Sequence, residues 1–268
     1  MNDAISKRKL KELYERLIND HPHDLLALES RLPSSLRYNQ RDKYRTVITM
    51  ILSQGTSDWK LFHSLKCFFG KYPNLDDLQN ITRQELETVL AACGFTTKGY
   101  AGQYNVDRMW HLIEALGNQL NTSNLTAFVK KLPLQGYGHG YGEKMVRVLK
   151  AYVLGQQNLL PLDTPGFEVL KEQGFDSSIN HCREQIEREF STDSDIILID
   201  FHELLRFKGQ TELKGIKRGS RKYDEIIKGW NAWRMLCAKD DSKFNENWIS
   251  KNLVKDKKLA KELWSSYS

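Results

Sequence analysis

With 268 residues, 40% of them apolar, the chain holds enough hydrophobic material for a globular core, in one large domain or two small ones. Its net charge of +6 is concentrated: residues 211–268 carry fourteen Lys/Arg against eight Asp/Glu, whereas the first 210 residues balance. Such a tail suits a polyanion or a solvated helix face. No apolar run reaches membrane-spanning length, and the charged stretch Met1–Lys9 lacks the apolar core of a secretion signal. The expectation is therefore an intracellular protein with no membrane partner. Cys67, Cys93, Cys182 and Cys237 show no short C-x-x-C spacing, so neither a disulfide framework nor a local metal or iron–sulfur cage is read, and they are expected as thiols.

Leu, Lys, Glu, Gln and Arg recur at helical spacing and strand signals are scarce, which predicts an all-α fold. Ile5, Leu10, Leu13, Tyr14 and Leu17 mark an amphipathic helix over 4–19. The segment 44–54 is apolar nearly all round and reads as a buried central helix. Further helices are predicted at about 57–70, 82–93, 104–117 and 124–131. The second of these opens on Thr82-Arg83-Gln84-Glu85, a capping box in which Thr82 and Glu85 satisfy each other's orphan donors, with Gly94 at its C-cap.

Gly136, Gly138, Gly140 and Gly142 then alternate through 132–144, which excludes a helix and marks a built loop. From Lys144 to Leu154, Met145, Val148, Leu149 and Tyr152 share a core face while Lys144, Arg147 and Lys150 lie on a basic one. After Gly155, Asp163 is placed as an N-cap with Pro165 in the first turn. Helices at about 177–190, 193–207, 221–238 and 246–266 follow, with Gly209–Arg221 as a flexible basic connector before a C-terminal extension.

A glycine loop opening a helix can offer backbone N–H groups to a phosphate. Gly140-Tyr141-Gly142 before Lys144 lacks the mononucleotide P-loop frame, so a nucleic-acid backbone is the better ligand, with a bare helix–helix turn as the alternative. Leu132-Pro133, the glycine hairpin, Lys144, and a Gly/Pro loop from Gly155 to Pro161 that ends at Asp163 resemble the helix-hairpin-helix glycosylases of the endonuclease III superfamily. Ile51-Leu52-Ser53-Gln54-Gly55-Thr56-Ser57-Asp58 is similar to that family's segment facing opened DNA, and Asp163-Thr164-Pro165-Gly166-Phe167-Glu168-Val169-Leu170 to its Asp-Thr-His-x-Phe-x-Val. The resemblance spans roughly residues 40–210. The hairpin is longer here by Leu134–Gly138, Gly55 stands where many relatives carry the Gln or Asn that fills the gap left by the flipped base, and the four-cysteine cluster spacing is absent.

What the resemblance implies is specific. The fold would be two helical subdomains within 1–210, about 40–140 and 1–39 plus 141–210, with the active site in the cleft between them and 211–268 as an extension. Lys144 would be the nucleophile attacking the sugar C1′ of a flipped nucleotide, and Asp163 its catalytic partner. Gln54, Gly138, His139, Gly140, Tyr141, Gly142 and Arg147 would contact DNA. Phe201 would stack on a base or serve the core. No metal and no iron–sulfur cluster is expected, and a monovalent cation at the hairpin is the cofactor the family allows. The partner would be double-stranded DNA with a damaged base or abasic site, bound by a monomer in the cytoplasm (nucleoid) of a prokaryote or the nucleus of a eukaryote. The activity would be base-excision repair by a bifunctional glycosylase and AP lyase. A monofunctional glycosylase of the same fold and a non-catalytic helix-hairpin-helix DNA-binding protein stay open, as does the choice between 8-oxoguanine and an oxidised pyrimidine.

Overall fold

The computed structural model describes residues 7–20, 28–54, 56–175, 178–190 and 197–268, so Ile5 and Gly55 lie outside the described residues. Among these, thirteen α-helices form and no strand does: α1 Lys7–Asp20, α2 Lys43–Leu52, α3 Asp58–Lys71, α4 Arg83–Ala92, α5 Gly99–Leu116, α6 Thr122–Lys131, α7 Glu143–Leu154, α8 Thr164–Glu172, α9 Ile179–Phe190, α10 Leu198–Gln210, α11 Arg221–Leu236, α12 Glu246–Asn252 and α13 Lys257–Tyr267. The all-α expectation holds. The Thr82–Glu85 capping box is present at α4, and the Asp163 side chain caps α8 with Pro165 in its first turn. Where one helix was expected over 246–266 there are two, because Asn245 caps α12 through the Trp248 N–H and Asp256 starts α13 by accepting from Leu259.

Two apolar cores organise these helices. The first gathers α2–α7 and α11–α13, with α2 buried on nearly every side as its apolar circumference requires. The second gathers α1 and α8–α10, where Leu10, Leu13 and Leu17 meet Leu162, Val169, Leu170, Ile186 and Leu205. The C-terminal helices, set apart in sequence by their charge, are built into the first core: α11 packs along α3 and contributes Trp230 and Trp233.

The packing decides one open role and overturns two other expectations. Phe201 is fully buried in the second core, edge-on to Tyr14 at 5.7 Å and to Phe190 at 6.5 Å, so it does not line a base pocket. Cys67 and Cys93 are joined by a disulfide instead of remaining thiols, because the folded chain brings their Cα atoms to 5.5 Å. The basic face of α7 is not a surface either: Lys150 donates to the Lys130 carbonyl, and Arg147 bonds Glu187 and the Leu134 carbonyl.

Candidate active site

Three helix starts and one helix side converge between the two cores. Asp58 is the first residue of α3, Lys144 lies in the first turn of α7, Asp163 caps α8, and Arg206 projects from α10. Close backbone approach at two glycines makes this convergence sterically allowed. A Cβ on Gly229 of α11 would lie 2.5 Å from the Asp58 carbonyl carbon, and one on Gly209 of α10 only 2.2 Å from the Pro165 oxygen. Without side chains there, α11 reaches the start of α3, and α10 reaches the start of α8.

The Lys144 Nζ stands 3.8 Å from Asp163 Oδ2, and the Arg206 Nε is also 3.8 Å from that oxygen. The other carboxylate oxygen of Asp163 accepts from the Gly166 N–H at 3.0 Å. Arg206 donates through Nη2 to both oxygens of Asp58, at 2.7 and 3.0 Å. Lys144 keeps about 36% side-chain exposure toward the cavity, yet protein crowds its amine on the remaining sides. Desolvation therefore lowers its pKa below the ordinary lysine value, aided by Arg206 and Arg108 and opposed by Asp163 and Asp58. Burial would raise the Asp163 pKa, but His202, Lys144, Arg206 and the Gly166 N–H outweigh it and hold the carboxyl below its usual range. His202 is buried and pushed down to about 3, first by burial, so it is neutral at pH 7, and its Nδ1 has no partner among the described residues.

These groups open on a cavity of about 320 Å³ whose walls include Met50, Gln54, Tyr152 and Trp233. Its floor is held from below: Tyr152 Oη donates to Glu203 at 2.9 Å, and Glu203 pairs with buried Arg234, whose guanidinium lies 4.7 Å from the Trp233 ring centre. A wider hollow of about 680 Å³ over α4 is lined by acids such as Asp76, Asp77 and Glu85, with no lysine or arginine among its lining residues. The narrower cleft, which holds the Lys144–Asp163 pair, is the candidate site.

The hairpin between α6 and α7 leads directly into the helix that carries Lys144. Gly136, Gly138, His139 and Gly140 all take positive φ, and Tyr137 and Tyr141 close the loop with bonds to Tyr141 O and Gly138 O. His139 stacks flat on His111 with ring centres 4.0 Å apart. Tyr141 is corrected from the expected DNA contacts: its side chain is fully buried, its hydroxyl donates to the Arg108 carbonyl, and its N–H is spent within the turn. Arg147 is corrected likewise, being 6% exposed and paired inside. The Arg108 Nε donates to the Gly140 carbonyl at 2.7 Å, and the carbonyls of Gly138, Tyr141 and Leu134 also have donors.

A solved structure described as a trapped endonuclease III–DNA covalent intermediate, an estranged-adenine complex, aligns with a TM-score of 0.50 at 17% identity, covering 76% of this chain and 86% of that one. The chain has the endonuclease III fold. No protein-family model matches it, and no curated protein matches it by sequence. Among the described residues, no helix is long and apolar enough to cross a membrane.

Within this endonuclease III fold, the structure brings Lys144, Asp163 and Gln54 to one cleft, while Gly138, His139, Gly140 and Gly142 lie on the hairpin that leads into α7 and are not among the residues lining the cavity. Asp58, Arg108, His202 and Arg206 were not singled out in sequence. Asp58 entered only as the last residue of the segment similar to the family's DNA-facing one, and its partner Arg206 lies 148 residues away. The one local signal was His202, a polar residue in the apolar run of α10.

Proposed function

We propose that this chain is a DNA glycosylase with AP lyase activity, acting in base-excision repair on double-stranded DNA with a damaged base or abasic site. The observation that carries this reading is the Lys144 amine, partly desolvated, 3.8 Å from the ionised Asp163 carboxylate in a cleft, on the helix that the glycine hairpin opens. A nucleotide flipped out of the duplex enters the cavity, at a few kcal/mol of unstacking. The neutral Lys144 amine attacks C1′ as the C1′–base bond breaks and the base leaves with the bonding pair, taking a proton. The sugar ring opens and the nitrogen lone pair forms an iminium to C1′. Loss of a C2′ proton then expels the 3′ phosphate, and water releases the enzyme. Asp163 stabilises the cationic sugar and accepts and returns the proton of the amine. The amides of the hairpin and of the α7 N-terminus hold the phosphate backbone, with the protein binding as a monomer.

Borohydride reduction during reaction with abasic-site DNA is expected to leave a covalent adduct that Lys144→Gln abolishes. An adduct that survives Lys144→Gln refutes Lys144 as the nucleophile. Base release with no adduct assigns the chain to monofunctional excision, and binding without either reaction assigns it to non-catalytic DNA recognition. Single-lesion duplexes with 8-oxoguanine or an oxidised pyrimidine then identify the base.

A further inference from the structure

Arg206 is restrained from three sides in a way that the reaction just proposed leaves unexplained. Its guanidinium grips both oxygens of Asp58, lies 5.6 Å from the ring centre of buried Trp230, and turns Nε toward Asp163 Oδ2 at 3.8 Å. Asp58 is only 7% exposed in its side chain and Arg206 24%. A charge-assisted contact from Nη2 to both carboxylate oxygens is strong, and the indole beside the guanidinium adds a second restraint. A salt bridge serving stability alone would need only the two partners. Here a second carboxylate, that of Asp163, is shared between Arg206 and Lys144 at equal distance.

We propose that Arg206, fixed by Asp58 and Trp230, is the positioning residue of this site, holding the Asp163 carboxylate opposite Lys144 and placing a fixed cation beside the amine. This rests on the glycosylase reading above. The charges facing Lys144 come from four elements: Asp163 of α8 and Asp58 of α3 favour the ammonium form, while Arg206 of α10 and Arg108 of α5 oppose it, and His202 of α10 is neutral. Arg206 is the larger of the two opposing cations. Removing it leaves the acids less opposed, so the amine keeps its proton to higher pH.

The test is single-turnover borohydride trapping on a preformed abasic-site duplex across neutral to alkaline pH, with folding of each variant checked by circular dichroism. Arg206→Gln is expected to lower the trapping rate about tenfold near neutral pH, the deficit narrowing to the part caused by the loosened Asp163 as the solution becomes alkaline enough to deprotonate the amine. Arg206→Lys keeps a cation and is expected to keep the acid limb of the profile in place. Asp58→Asn loosens the clamp without removing the arginine charge, and is expected to slow trapping without moving that limb upward. A folded Arg206→Gln whose profile overlays the parent, or falls equally at every pH, overturns the proposal. So does an Arg206→Lys or Asp58→Asn limb displaced upward, which also decides the matter if Arg206→Gln does not fold. Absence of trapping by the unaltered chain refutes the lyase reading itself and takes this inference with it.

Discussion

Asp163 has two separable tasks, and replacing it by Asn or Ala distinguishes them. Its Oδ1 accepts from Gly166 at 3.0 Å, a helix cap that an asparagine oxygen can also make. Losing a cap costs about 1 kcal/mol, equivalent to roughly 2–4 °C in a domain of this size. The Ala variant should therefore melt about 2–4 °C below the Asn variant in a thermal unfolding scan. Both lose the charge facing Lys144. In glycosylase assays on a damaged-base duplex, both should excise about 10²- to 10³-fold more slowly, the scale for removing a group aimed at developing charge. On preformed abasic DNA the sign differs. Asp163 favours the lysine's proton, so without it the Lys144 pKa falls further and the acid limb of trapping moves to lower pH. Base excision by Asp163→Asn at the parental rate, or an acid limb displaced upward, would refute the assigned role.

Other consequences are accessible to simple measurement. Gly229→Ala forces a Cβ to within 2.5 Å of the Asp58 backbone and should cost about 1–3 kcal/mol by overpacking, read as a lower melting temperature together with slower trapping. Tyr141→Phe removes the buried donor to the Arg108 carbonyl and should destabilise by about 1–3 kcal/mol, while the salt dependence of DNA binding stays unchanged; an altered salt slope would return Tyr141 to the DNA interface. His202, pushed down to about 3 in the fold, stays neutral where an unfolded histidine with a pKa of about 6.5 takes a proton. Its contribution to stability is complete above about pH 6.5 and is lost as pH falls toward about 3, at up to about 1.4 kcal/mol per pH unit. Denaturant titrations of the parent and His202→Gln should therefore differ in slope over that window, and parallel curves would contradict a buried neutral imidazole.

Local rules in the sequence were sufficient wherever one segment decides its own conformation. The Thr82–Glu85 box, Asp163 as a cap, the helical period of α7 and the glycine hairpin are written in neighbouring residues, because capping, periodicity and positive φ are satisfied within a few positions. The pairing of Lys144 with Asp163 was legible through the resemblance carried by that ordered set. Tertiary structure alone decided which charges are free. Arg147 and Lys150 look like Lys144 along α7, yet Glu187 and the Leu134 and Lys130 carbonyls take them up from other segments. Phe201 has the spacing of a core residue and of a stacking platform alike, and contact with Tyr14 settled it. Asp58 and Arg206 meet across 148 residues, from a helix of the first core and a helix of the second, a relation that no local pattern encodes. Helix formation depends on neighbours in sequence, whereas the protonation and availability of a charged side chain depend on its neighbours in space.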